Sequence, residues 1–139
     1  MLQKQIYVGE SSFESMVEEN AYLVDKTRYI KSIFKDGNSV SLITRPRRFE
    51  KSLTQSMLKN FLEFDYEKPG DTTKPHRLFS GFEILKDEVF CRETLGQWPV
   101  IFLSLKKVEG NDYATARRRL VSTVVDCAQS LDFLLESPK

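Results

Sequence analysis

Lys51 and Ser52, directly after an arginine-rich turn, are the residues of this sequence best suited to phosphate chemistry. They close the segment Arg45-Pro46-Arg47-Arg48-Phe49-Glu50-Lys51-Ser52, which lies between an apolar run and an amphipathic one. A loop of the pattern G-x-x-x-x-G-K-[ST] joining a strand to a helix holds phosphates by four means. Its backbone N–H groups converge on the phosphate oxygens, and the helix N-terminus adds partial positive charge. A lysine reaches the outer phosphates, and a hydroxyl ligates Mg²⁺. Lys51 and Ser52 supply the last two, and a helix beginning near Lys51 supplies the second. Both glycine positions depart from the pattern, with Arg45 at the first and Glu50 at the second. The pattern alone leaves two readings open: a phosphate loop, or a basic turn whose Lys-Ser pair only begins a helix. Phe49, inside the turn, is expected to pack beneath it rather than cover a bound base.

The elements that must hold this turn follow from hydrophobic spacing. Ser39 to Thr44 (SVSLIT) reads as a buried strand, and Pro46 prevents its continuation in a central ladder. From Lys51 to Phe64, Leu53, Met57, Leu58, Phe61 and Leu62 form one helical face. Upstream, Phe13, Met16 and Val17 predict a short helix and Tyr22-Leu23-Val24 a brief extended piece. Tyr29, Ile30, Ile33 and Phe34 predict a second helix, stopped by Asp36-Gly37-Asn38. Residues 65–80, broken by Pro69-Gly70 and Pro75, read as a loop. Gly81 to Gln97 reads as short irregular or helical pieces. Pro99 to Leu105 (PVIFLSL) reads as a buried strand of a parallel sheet. Asp112 to Leu135 reads as a long helix with Ala116, Leu120, Val124, Ala128, Leu131 and Leu135 on its apolar stripe. Strands alternating with helices favour an α/β layer with a parallel sheet. Two strands make a thin sheet, which implies missed strands or an incomplete set.

Composition narrows the function classes. The 139 residues are 40% hydrophobic, 29% charged and 12% aromatic, the profile of one globular domain. Twenty-one Lys+Arg against twenty Asp+Glu give a net charge of +1, which excludes a globally basic nucleic-acid binder but not a local basic patch. No apolar run reaches transmembrane length, and Met1 to Glu10 lacks the layout of a secretory signal. Cys91 and Cys127 have no CxxC spacing, and His76 is the only histidine, so a zinc site lacks ligands. A cytoplasmic chain with reduced thiols is the expectation. Arg117-Arg118-Arg119 reads as a solvated helix face, His76 as an exposed or satisfied side chain, and Asp25 as the cap of a helix starting near Lys26. Tyr7, Phe13, Phe34, Phe61 and Phe64 are expected in the core rather than stacked on bases.

Leu42 to Leu58 (LITRPRRFEKSLTQSML) closely resembles the RPRRFGKSL signature of the AAA-ATPase-like family of P-loop proteins. Tyr22 to Tyr29 (YLVDKTRY) is similar to that family's YVDKT element, Leu78 to Ile84 (LFSGFEI) to its LF-x-G-L-x-I segment, and Trp98 to Leu105 (WPVIFLSL) to its YPVI-x-L-x-F strand. The pieces lie in order across roughly residues 6 to 125. The resemblance implies an α/β, P-loop NTPase-like three-layer arrangement with a parallel sheet, here incomplete. It also implies ATP with Mg²⁺ as ligand. Arg45, Arg47 and Arg48 would line the phosphate approach, Lys51 would reach the β/γ-phosphates and Ser52 would hold Mg²⁺; Phe49, Glu50 and Leu53 complete the loop. Arg45 at the first glycine position is ordinary in the family. A PD-(D/E)XK nuclease-like domain often follows in family members, and nothing in these residues corresponds to it.

Two departures bear on mechanism. Where the family has glycine, Glu50 adds a Cβ, and a left-handed non-glycine residue costs on the order of 1–2 kcal/mol. A carboxylate about 4 Å from a phosphate charge adds roughly 4 kcal/mol as an upper figure. Half that total, about 3 kcal/mol, weakens binding more than a hundredfold. Glu50 is also placed to pair with Arg47, Arg48 or Lys51. Second, no apolar strand ends in the acid that would orient water and Mg²⁺. Pro99 to Leu105 has no terminal acid, Asp126 falls on a helical stripe, and Asp25 precedes the loop. The expectation is one N-terminal portion of a nucleotide-binding domain, residues 1–139, lacking the acidic strand and not hydrolysing ATP by itself. The competing expectation is an interaction module whose basic loop, Arg45 to Lys51, binds nucleic acid or an acidic protein partner. A fragment that self-associates over a bare sheet edge is the third.

Overall fold

The computed structural model describes residues 11–35, 37, 40–46 and 49–131. The chain divides into two compact units, Met1–Val100 and Ile101–Lys139.

The first unit is built of short helices whose ends are marked by local chemistry. Helix α1, Phe13–Glu18, begins at Ser12, whose hydroxyl accepts from the Ser15 N–H at 3.2 Å. It ends on Asn20 at φ 52°, with the Ala21 N–H returning to the Met16 carbonyl at 2.8 Å. Asparagine tolerates this left-handed stop. Helix α2 spans Arg28–Lys35 and helix α3 spans Lys51–Leu62, as the apolar spacing predicts. Helix α4, Thr73–Leu78, falls where a loop was expected. Its Pro75 sits in the first turn, where the missing N–H breaks no intrahelical bond. A 3₁₀ turn at Glu83–Lys86 and helix α5, Glu88–Thr94, resolve the ambiguous stretch before Gln97.

The core gathers Phe13, Ile30, Met57, Phe61, Leu78 and Phe79, with Leu53, Ile84 and Leu95 beside them. Phe61 is its hub: its ring lies 5.1 Å from Phe79, edge-on, and 6.1 Å from Phe90. Phe13 stacks on Phe79 at 4.9 Å, and Phe34 meets Phe90 at 5.7 Å. Phe64 packs on Tyr66 at 4.4 Å. Phe13 and Phe61 lie in the core, as their sequence positions predict, whereas Phe34 and Phe64 are half-buried at its margin; Tyr7 lies outside the described residues.

Among the described residues the expected parallel-sheet α/β, three-layer arrangement is not present. Just after α3, Glu63 and Trp98 of this chain form an isolated parallel bridge. There the Trp98 N–H donates to Leu62 at 2.9 Å and the Phe64 N–H donates to Trp98 at 3.0 Å. Neither apolar run read as a strand is one: residues 40–44 and 99–105 carry no ladder. Ser39 lies outside the described residues. Val40 is 83% exposed, Leu42 86% and Ile101 70%. An apolar run becomes a strand only when neighbouring strands take its N–H and C=O groups and cover its side chains, and two strands do not achieve this alone.

In the second unit, helix α6 spans Tyr113–Gln129, with Asp112 accepting from the Thr115 N–H at 2.7 Å as N-cap. The helix is where the spacing predicts it, and Asp126 lies within it rather than at a strand end. Its expected apolar face is not buried: no α6 residue is buried, and Leu120 and Val124 are exposed. Leu135 lies outside the described residues. Arg117, Arg118 and Arg119 are exposed, as a solvated face requires.

Candidate functional site

The basic turn is positioned by the start of α3. Leu53, Met57 and Phe61 anchor one face of that helix in the core, which fixes where its N-terminus points. Glu50 stands at the N-cap with φ 54° and ψ 28°, a left-handed conformation, and its side chain makes no capping bond. Its carbonyl accepts from both the Thr54 N–H and the Thr54 hydroxyl at 2.9 Å. The first-turn N–H groups of Lys51, Ser52 and Leu53 meet no acceptor among the described residues. Those are the groups a helix N-terminus offers to an anion.

The Lys51 ammonium folds back over the turn and donates to the carbonyls of Arg45 and Pro46, the latter at 3.3 Å. The Ser52 side chain is half-buried and its hydroxyl has no hydrogen-bond partner among the described residues. The Leu53 side chain is buried and belongs to the core. Phe49 is 59% exposed, so it does not pack beneath the turn. Aromatic residues of the surrounding helices already fill the core. Arg47 and Arg48 lie outside the described residues.

The described partner of Glu50 is Lys26, in the segment leading into α2. That segment is well tied down. Asp25 accepts from the Thr27 N–H at 2.9 Å, the Thr27 hydroxyl at 2.7 Å and the Glu83 N–H at 2.8 Å. The Thr27 hydroxyl in turn accepts from the Ile84 N–H at 3.2 Å, with Thr27 fully buried. Burial alone raises the Asp25 carboxyl, but the Glu83 N–H and the two Thr27 donors outweigh it and hold its pKa below 3.8. The helix starts at Arg28 rather than near Lys26, so Asp25 does not cap a first-turn N–H of α2; it holds Thr27, the residue just before the helix, and ties it to the 3₁₀ turn.

Between this segment and the entry to the turn lies a cleft of about 410 Å³ lined by Lys26, Arg28, Tyr29, Ser32, Arg45 and Thr54. The Arg45 guanidinium stands 5.7 Å from the centre of the Tyr29 ring. Of these residues, sequence reasoning selected only Arg45 for the site. The YLVDKTRY segment carried the signal for Lys26 and Tyr29, but nothing in the spacing says that it folds against the basic turn.

The remaining candidates stay structural. His76 is exposed on α4. The Cys91 thiol is buried, donates to the Ile84 carbonyl at 3.2 Å, and burial pushes its pKa up from 9.0. Cys91 and Cys127 are both free. Among the described residues no cluster of His, Cys, Asp or Glu is suited to a metal, and no helix is long and apolar enough to cross a membrane.

A family model described as Predicted AAA-ATPase matches residues 7–137. No curated protein and no solved structure matches the chain.

Proposed function

The chain belongs to the AAA-ATPase-like family, and from that premise we propose that its basic turn, Arg45 to Leu53, is a degenerate phosphate-binding loop that binds ATP weakly and does not hydrolyse it by itself. The observation that carries this reading is the conformation of Glu50. It holds the left-handed geometry for which glycine is suited, immediately before Lys51 and Ser52 at the start of α3. At this one position the backbone has the conformation that a glycine of a phosphate loop would supply, which supports the reading.

The chemistry of each group follows. The first-turn N–H groups, which meet no acceptor among the described residues, and the Arg45 cation would receive phosphate oxygens. Lys51, held by backbone carbonyls, is a donor that swings from the turn onto a ligand without leaving a buried charge behind. Ser52, with its hydroxyl unengaged among the described residues, is the residue that would hold Mg²⁺, which would supply positive charge to offset that of the phosphates. Glu50 opposes all of this, because its carboxylate stands at the rim and its charge is only partly offset by an exposed lysine.

Calorimetric titration of Mg·ATP and ADP into the protein and its Glu50→Gly variant tests the reading. The glycine variant is expected to bind at least tenfold more tightly, since relief of about 1.4 kcal/mol suffices for that factor. Absence of binding by a folded Glu50→Gly protein would overturn it.

A further inference from the structure

We infer that the cleft between α2 and the entry to the basic turn is a polyphosphate subsite in which Arg45, backed by the Tyr29 ring, is the anion-gripping fork. Three observations converge. The cleft, about 410 Å³, is lined by three cations, Lys26, Arg28 and Arg45. Arg45 is half-buried, stands over Tyr29 at 5.7 Å and faces no carboxylate among the described residues. The cleft is continuous with the α3 N-terminus, because Thr54 lines it and the Arg45 carbonyl receives Lys51.

A planar guanidinium resting on an aromatic face loses little freedom when it grips two oxygens of a phosphate, so the Tyr29 ring pre-organises it. Tyr29 is accordingly a positioning residue. The other two cations are engaged by exposed acids, Lys26 by Glu50 and Arg28 by Glu83 at 3.2 Å. Exposed ion pairs of this kind contribute little and exchange readily for a multiply charged ligand. A chain of linked phosphates, rather than a single carboxylate, is the anion whose charge is spread to match cations on both sides of a cleft.

This inference rests on the phosphate-loop reading for Arg45, which the two share, and extends it to Lys26, Arg28 and Tyr29; inorganic tripolyphosphate tests it without a nucleobase. Its binding would be measured by calorimetry for the protein and for Arg45→Gln, Tyr29→Leu, Tyr29→Phe and Ser32→Glu. Arg45→Gln is expected to lose at least tenfold and Tyr29→Leu about fivefold, with Tyr29→Phe unchanged because the ring remains. Ser32 is exposed, so Ser32→Glu keeps the fold and brings a carboxylate to the cleft; it is expected to weaken binding about tenfold. Circular dichroism confirms folding of each variant. Tripolyphosphate binding that ignores Arg45→Gln and Ser32→Glu, or no binding to the folded protein, overturns the inference. Parallel titrations with Mg·ATP separate the two readings. ATP binding that ignores Tyr29→Leu and Ser32→Glu, the variants confined to the cleft, removes the subsite and leaves the nucleotide loop. Cleft-dependent tripolyphosphate binding with no ATP binding removes the nucleotide reading and leaves the subsite.

Discussion

Glu50 and Asp25 show how much two carboxylates decide around one turn. Glu50 occupies a left-handed position at a cost of about 1–2 kcal/mol, and its charge is answered by Lys26 rather than by the lysine that follows it. Asp25 works in the opposite sense, accepting three hydrogen bonds that join the segment before α2 to the 3₁₀ turn. Because its folded pKa lies below 3.8, its contribution is fully present above the unfolded value and is lost as pH falls through the lower folded one. Asp25→Asn is expected to destabilise the protein by about 1–2 kcal/mol at neutral pH and to flatten part of the acid-side loss. Urea denaturation of both proteins at about pH 7 and about pH 3 reads this. An identical drop in the two would show that Asp25 does not supply the linkage. The residue types of this region were readable from the sequence. The Lys26–Glu50 pair was not, because it joins positions whose proximity depends on how α2 packs.

At the scale of elements, α3 connects the core to the site. Its buried face of Leu53, Thr54, Met57 and Phe61 fixes its direction, and its exposed N-terminus carries Lys51 and Ser52. Phe61 is fully buried among Phe79 and Phe90. Phe61→Ala is expected to cost about 3–5 kcal/mol, which is a large share of a small domain's stability. Chemical denaturation would measure it, and a loss below about 1 kcal/mol would contradict the hub role. Helical spacing made α1, α2, α3 and α6 legible. Helix α4 is hidden in the sequence because Pro75 is by type a helix breaker, although proline in a first turn removes no helical bond.

The molecule as a whole contains two units and, among the described residues, no sheet. The apolar runs at 40–44 and 101–105 therefore have a different energetic standing from buried strands. Leu42→Ser and Ile101→Ser are expected to change stability by less than about 0.5 kcal/mol, as exposed substitutions do. Burial of either side chain in a sheet would raise that figure to about 2 kcal/mol or more. Urea denaturation distinguishes the two cases directly. The sequence by itself determined the family, the main helices, the aromatic core and the loop on which the phosphate chemistry is proposed, because periodicity and motif spacing are local properties of the chain. The tertiary structure alone decided that the apolar runs stay unpaired, that Glu50 meets Lys26, and that Tyr29 backs Arg45 across a cleft. Each of these depends on which distant segments come together, and burial, ion pairing and strand pairing have no meaning for a residue until its neighbours are known.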